Sequence, residues 1–325
     1  MAAWSRVRSE PQVNFAPLEF GQLNMTLHEH YQPRSTDTLV VFVHGLSGKG
    51  YETWGGFPKL VFESQASTVV DVAVFDYFSG KRRIFRVRPR AHLVANSLAQ
   101  CIAEIQSKYT QIFLVAHSMG GLISKDAARI YLEKYDANRT LLKRLSGIVL
   151  FGCPQRGSRW AIPFFTPLVI EIKYLRNGSK YQRRLRKFFR ENVDDTDLPQ
   201  KGNRDFMIAT YAASGDKDFV VTTKSAIADV FPRQCNNFRS NHRSLVKPTQ
   251  AEHPQVTWLL NVIAKVPSID RRFADSLPEN GSKMLKMSAA RGRARCSSPS
   301  SRRRTEHGAM PTLRWSLGLR RRLLK

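Results

Sequence analysis

Gln111-Ile112-Phe113-Leu114-Val115-Ala116-His117-Ser118-Met119-Gly120-Gly121 is the stretch whose reading decides the fold. Five apolar residues, Ile112 to Ala116, lie between polar Gln111 and His117. A run that short and that uniformly apolar fits a strand buried on both faces, as in a parallel sheet. From Gly121 to Lys134 the period changes: Leu122, Ile123, Ala127, Ile130 and Tyr131 recur at three and four, which predicts a helix. The order is strand, tight turn, helix, with Ser118 at the apex.

Such a turn holds its apex residue in a strained backbone conformation. Ala116 and Gly120, two before and two after Ser118, are small enough to let the two elements approach. The hydroxyl then stands above the sheet, facing the free N–H groups and positive dipole end of the new helix. A serine beside glycines also occurs in plain strand-to-helix turns, but the flanking strand and helix favour a nucleophile elbow. The motif usually has Gly at its first position, where this chain has Ala116.

Working outward, Leu39 to Val43 is a second buried strand, running into His44-Gly45-Leu46-Ser47-Gly48-Lys49-Gly50. A phosphate-binding loop is excluded there by the glycine-to-lysine spacing and by the absence of Ser or Thr after Lys49. The loop reads instead as half of an oxyanion hole, with the Leu46 N–H as donor. One helix is expected over Tyr51 to Ser64, with Trp54, Phe57, Leu60 and Val61 on one face. A strand is expected at Val69 to Tyr77, and a helix over Ala91 to Lys108 burying Leu93, Val94, Leu98, Ile102 and Ile105. Gly147 to Phe151 is a further buried strand, ending in Gly152-Cys153-Pro154-Gln155-Arg156-Gly157-Ser158. Alternating strands and helices indicate βαβ units and a mostly parallel central sheet with helices on both faces.

The alternation breaks over 160–201, read as a helical lid insertion. It opens apolar, with Phe164, Phe165, Leu168 and Ile170, and continues basic, with Tyr181, Leu185, Phe188 and Phe189 roughly together. Basic and aromatic residues on one helix suit a membrane surface; an ordinary capping helix with a charged outer face has the same pattern. The sheet resumes at Phe206 to Ala213, followed by Ser214-Gly215-Asp216-Lys217-Asp218-Phe219-Val220-Val221. Acids just beyond the carboxyl end of a parallel strand sit where active sites form. Gln255 to Val266 is a closing helix.

The chain has 325 residues, enough for one large α/β domain with tails or for two smaller domains. The expected division is an irregular segment 1–37 with a candidate edge strand at Leu23 to His30, a main domain 38–268, and a basic, disordered tail 269–325. The formal net charge is +26. From Gly281 onward thirteen Lys or Arg face one acid, Glu306, so the chain without that tail is still basic by 14. Lys81 to Arg90 and Lys173 to Arg190 hold six and eight basic residues. Such patches favour anionic partners, a membrane surface before nucleic acid. No apolar run approaches the roughly 20 residues of a membrane span, and Met1 to Phe20 lacks the apolar block of a signal peptide. Cys101, Cys153, Cys235 and Cys296 lack paired spacing, which argues against a metal site or disulfide framework and for a reducing, cytoplasmic setting; the basic patches add the expectation of peripheral membrane contact.

A serine hydroxyl needs an imidazole to take its proton, and the imidazole needs a carboxylate to fix its tautomer. The chain offers these groups in the order Ser, Asp, His, the order found in α/β-hydrolases. Val-His-Gly-Leu at 43–46, His-Ser-Met-Gly-Gly at 117–121 and Gly-Cys-Pro-Gln-Arg-Gly-Ser at 152–158 resemble that superfamily. More narrowly they are similar to the serine esterases and lipases that include SERAC-type proteins and GPI inositol deacylases. Asn-His-Arg-Ser-Leu-Val-Lys-Pro at 241–248 is similar to the histidine segment of the SERAC-type branch. The resemblance covers about Leu39 to Val266 and implies an α/β-hydrolase fold with Ser118 as nucleophile, His242 as general base and Asp218 as the acid. Asp216 is the rival acid, and His253 the rival base. The oxyanion donors would be the N–H groups of Leu46 and Met119, with neither metal nor organic cofactor required.

The leading expectation is a serine hydrolase acting on a carboxylic ester of a hydrophobic acyl group, with a lipid or similar ester as substrate. The alternatives are an acyltransferase using the same triad and a non-catalytic lipid- or nucleic-acid-binding protein on the same scaffold.

Overall fold

A computed structural model describes residues 18–20, 23–30, 36–45, 48–64, 69–77, 91–135, 144–157, 178–194 and 206–266. Strand β3 (Thr38–Val43) is buried along its whole length. Side chains alternate across a strand, so Leu39, Val41 and Val43 join one core cluster while Val40 and Phe42 join the other. A strand covered on both faces needs a continuous apolar run, and burying each such side chain stabilises the fold by about 1.5–3 kcal/mol. β5 (Gln111–His117) and β6 (Leu145–Phe151) obey the same rule.

Six parallel strands lie in the order β4 (Asp71–Asp76), β3, β5, β6, β9 (Ala209–Gly215), β10 (Cys235–Phe238). β2 (Leu23–His30) pairs antiparallel with β4, and β1 (Leu18–Phe20) antiparallel with β2. The strand expected at Leu23 to His30 is β2, and the additional strand β1 gives it neighbours on both sides, so it does not form the edge. β7 (Val193–Asp194) and β8 (Phe206–Met207) form a separate parallel pair. The order of the strands reverses between β3 and β5, whose carboxyl ends are in register at Val43 and Ala116. The crevice above such a reversal is where open α/β sheets bind ligands.

One face of the sheet carries α3 (Ala91–Ile105) and α4 (Gly120–Lys134); the other carries α2 (Phe57–Glu63) and α7 (Pro254–Lys265). The single helix expected over Tyr51 to Ser64 is two, α1 (Gly50–Trp54) and α2, because Gly55 turns left-handed at φ +57°. Leu93, expected to be buried, is 47% exposed, while Val94, Leu98, Ile102 and Ile105 are buried as expected. β10 has no apolar run and escapes sequence reading, since Phe238 is its one buried residue. The short α6 (Thr223–Ala226) follows β9.

Of the expected lid, the described part is α5 (Lys180–Asn192). Leu185 and Phe189 enter the core against α4, and the Tyr181 hydroxyl donates to Asp126 Oδ2 at 3.0 Å. Asp126 is buried on α4, where its Oδ1 also accepts from Arg129 Nε at 3.0 Å and Nη2 at 2.7 Å and its Oδ2 meets His92 Nδ1 at 3.0 Å. Phe164, Phe165, Leu168 and Ile170, the Lys81 to Arg90 patch and the 269–325 tail lie outside the described residues. No described helix is long and apolar enough to cross a membrane.

A Cβ on Gly120 would overlap the carbonyl oxygens of Val43 and His44, whereas one on Gly56 would meet nothing nearer than 3.9 Å. Gly120→Ala is therefore expected to destabilise by about 1–3 kcal/mol or to prevent folding. Gly56→Ala should stay within about 1 kcal/mol of the parent. Chemical denaturation midpoints would separate the two.

Candidate active site

β5 ends at His117 and α4 begins at Gly120, leaving two residues to reverse the chain. Ser118 takes φ +53° to do so, one of two non-glycine residues at positive φ among those described. Such a conformation costs on the order of 1–3 kcal/mol and persists only where its surroundings enforce it. Here the Ser118 N–H donates to Phe151 O at 3.1 Å and the Gly121 N–H donates to Ser118 O at 3.1 Å. From the other side the loop after β3 presses close, since a Cβ on Gly45 would stand 2.8 Å from Ser118 Cβ. The side chain of Ser118 is left half-buried at the carboxyl end of the sheet.

Met119 occupies the N-cap of α4 and is buried. Its N–H donates to no described group, as expected for the first turn of a helix. Leu46, the other expected donor, lies outside the described residues.

Asp218 and His242 come from the turns after β9 and β10. His242 Nδ1 stands 2.7 Å from Asp218 Oδ2. A carboxylate oxygen accepts, so Nδ1 carries the proton and Nε2 of the neutral ring is left as an acceptor. Asp218 Oδ1 accepts from the N–H groups of Val220 and Val221, both at 2.8 Å. Its side chain is fully buried and its orientation is set by three donors. Asp216 is exposed and accepts from the Ser240 N–H at 3.1 Å, and among the described residues no hydrogen bond or ion pair joins it to His242. His253 caps α7 and bonds to Gln255.

His117 ties the serine turn to the histidine turn. Its Nε2 lies 2.9 Å from His242 O, a carbonyl that can only accept, and the two rings are 4.6 Å apart between centroids. The residue beside Ser118 is thus bonded to the backbone of His242. No hydrogen bond joins the Ser118 hydroxyl to His242 among the described residues; such contacts are often long without substrate and tighten when it binds. Burial holds the His117 imidazole well below its ordinary value of 6.5, with the neighbouring His242 adding to the effect. The one signal of His117 in the sequence is a polar ring at the end of a buried strand.

His44 is also buried and structural. Its Nε2 meets Asp76 Oδ1 at 3.0 Å, its ring stacks on Tyr77 at 4.1 Å, and the Tyr77 hydroxyl donates to His44 O at 2.8 Å. Cys153 lies against the elbow, but burial pushes its thiol up to about 12, leaving it protonated and unsuited to nucleophilic attack. Among the described residues no cluster of three or more His, Cys, Asp or Glu could hold a metal ion.

A parallel sheet with a strained serine between strand and helix, and an Asp–His pair from later strand ends, defines the α/β-hydrolase class. The chain matches the Alpha/beta hydrolase family over residues 40–292, more than three quarters of its length, and belongs to that family. No match was found among curated proteins. Similar solved structures include phospholipase PlaB from Legionella pneumophila, at 16% identity and TM-score 0.48, covering 78% of this chain and 64% of that one. The lipase BlEst2 from Bacillus licheniformis is 18% identical with TM-score 0.43, covering 73% of this chain and 95% of that one. A bacterial membrane phospholipase A is 18% identical with TM-score 0.44, covering 76% and 86%. The chain spans less than two thirds of the Legionella enzyme.

Because the folded His117 resists protonation, the unfolded chain binds more protons below the ordinary value of 6.5. The stability held above that pH is lost as pH falls through and below it, by up to tenfold in the unfolding equilibrium per pH unit for one proton. His117→Gln should show a shallower loss than the wild type between neutral and mildly acidic pH in denaturant titrations. Equal slopes would mean that His117 does not carry the effect.

Proposed function

We propose that this protein is a serine hydrolase that cleaves a carboxylic ester of a hydrophobic acyl group. The observation that carries the proposal is the 2.7 Å Asp218–His242 contact, held by the His117 bridge beside a serine at φ +53°. Ser118 Oγ attacks the ester carbonyl as its proton passes to His242 Nε2. The tetrahedral oxyanion is met by the Met119 and Leu46 N–H groups, each of which typically contributes roughly 3 kcal/mol of transition-state stabilisation. Collapse breaks the bond to the alcohol, which leaves with the proton from His242 and gives an acyl-Ser118 ester. Water then attacks that ester, losing a proton to His242, and the acid departs as Ser118 Oγ recovers its proton. Asp218 keeps the imidazole in the required tautomer and stabilises its charged form. The chemistry asks for neither a metal nor an organic cofactor.

Exposed apolar side chains beside the acid support a hydrophobic acyl group: Phe219 is 84% exposed and Val220 38%. The basic outer face of α5 supports access from an anionic surface. Within the family, the 241–248 segment supports the SERAC-type branch.

Purified protein should be labelled by a fluorophosphonate, and Ser118→Ala should not; equal labelling of both would end the proposal. On a short-chain ester, Asp218→Asn should lower kcat/KM by about 10³–10⁴-fold, whereas Asp216→Asn should stay within about threefold of the wild type. Free acid rather than a transferred acyl ester as the product distinguishes hydrolysis from acyl transfer.

A further inference from the structure

A cleft of about 750 Å³ opens between α5, the loop after β6 and residues 229–232. Six cations line it, Lys125, Arg156, Arg183, Arg186, Lys187 and Arg190, against one carboxylate, Asp229. Its lining does not include Ser118, Asp218 or His242.

Four of the cations are gathered by helix geometry. Arg183, Arg186, Lys187 and Arg190 are spaced at three and four and so share one face of α5. Like charges at that spacing weaken a helix. The helix is held in place from its other side, where Leu185 is in the core and Tyr181 is bonded to buried Asp126. Asp229 neutralises only part of this charge. It meets Arg156 Nη2 at 2.9 Å and stands 3.8 Å from Arg186 Nη1. It does so at φ +63°, a left-handed conformation that Asp tolerates better than most residues. Guanidinium groups from two separate elements are thereby positioned before any ligand arrives. Lys125, about nine-tenths buried, donates to the neutral Gln155 Oε1 at 2.6 Å. No carboxylate pairs with Arg183, Lys187 or Arg190 among the described residues. The wall at 230–232 is apolar, with Val230, a 39% exposed Phe231 and Pro232, and Phe189 of α5 adds to the lining. A cleft of one charge sign with low-dielectric walls focuses its field on a bound anion.

We propose that this cleft is a binding site for a phosphate-bearing anion, a phospholipid headgroup or a soluble phosphate ester, separate from the Ser118 site. Planar guanidinium forks match phosphate oxygens two at a time, and the apolar wall accepts the hydrocarbon next to the phosphate. A nucleic acid strand would call for a long cationic track with stacking faces, which a confined cleft does not provide. The inference does not depend on acyl-enzyme chemistry, so it is tested by binding rather than by turnover.

The full chain would be titrated by calorimetry with inorganic phosphate and glycerol phosphate. It would also be co-sedimented with phosphatidylcholine vesicles with and without phosphatidylglycerol. Arg183 and Lys187 are exposed, so an Arg183→Gln/Lys187→Gln variant should keep the parent melting temperature. It should bind the responsive probe about tenfold or more weakly, while Arg183→Lys/Lys187→Arg stays within a few-fold. Loss of vesicle binding with no competition from the small phosphates assigns a lipid headgroup; saturable binding of the small phosphates alone assigns a soluble ester. The proposal is overturned if neither probe shows saturable binding sensitive to the double variant. It is equally overturned if a Lys134→Gln/Lys265→Gln control loses as much, or if a single-stranded oligonucleotide outcompetes both probes at the same site.

Discussion

The whole site depends on how closely one helix start approaches one strand end. Residue 120 opens α4, and a Cβ there would overlap the carbonyl oxygens of Val43 and His44 at the end of β3. With glycine at that point, the helix can start directly against the neighbouring strand. The chain leaving β5 then has two residues in which to turn, and the turn is closed by pushing Ser118 to φ +53°. The same closeness brings the loop after β3 against Ser118, and the Met119 N–H at the start of α4 donates to no described group. The strain at Ser118 and the helix-end donor beside it both follow from a single steric fact.

The remaining groups arrive because parallel strands end together. His117 pairs with Phe151, Phe151 with Ala213, and Gly215 with Phe238, so the turns after β5, β6, β9 and β10 open on one side of the sheet. Asp218 needs only a tight turn to reach that side, and the turn supplies two backbone donors for its carboxylate. The loop after β6 passes beneath the pair: a Cβ on Gly152 would stand 3.2 Å from Asp218 Oδ2 and 3.4 Å from His242 Nδ1. A rigid scaffold positioning residues on short loops is the usual way a fold carries a reactive site.

The strands buried on both faces were legible because continuous apolar runs have few other readings, and β3, β5 and β6 appear where those runs lie. What escaped depends on single backbone bonds or on tertiary cover. Asp216 and Asp218 are two residues apart, and no spacing rule separates them; the geometry differs because Val220 and Val221 donate to one and Ser240 to the other. Gly55 interrupts a helical pattern by its sign of φ, which periodicity does not record. The apolar period of α4 passes over Asp126 and Arg129, yet both are buried, with Tyr181 of α5 and His92 of α3 reaching Asp126. In the same way the basic run on α5 was visible as charge, while its partner Asp229, some forty residues onward, was not.

The central claim is that Ser118 carries the acyl group during turnover. It is tested most directly by acid-quenching the protein during steady turnover of a slow ester and mapping the acyl mass by peptide mass spectrometry. The account predicts the acyl group on the peptide containing Ser118, and its accumulation when deacylation is slowed by a poor acyl group. Sustained hydrolysis with the Ser118 peptide unmodified, or with the acyl group on another residue, would contradict it.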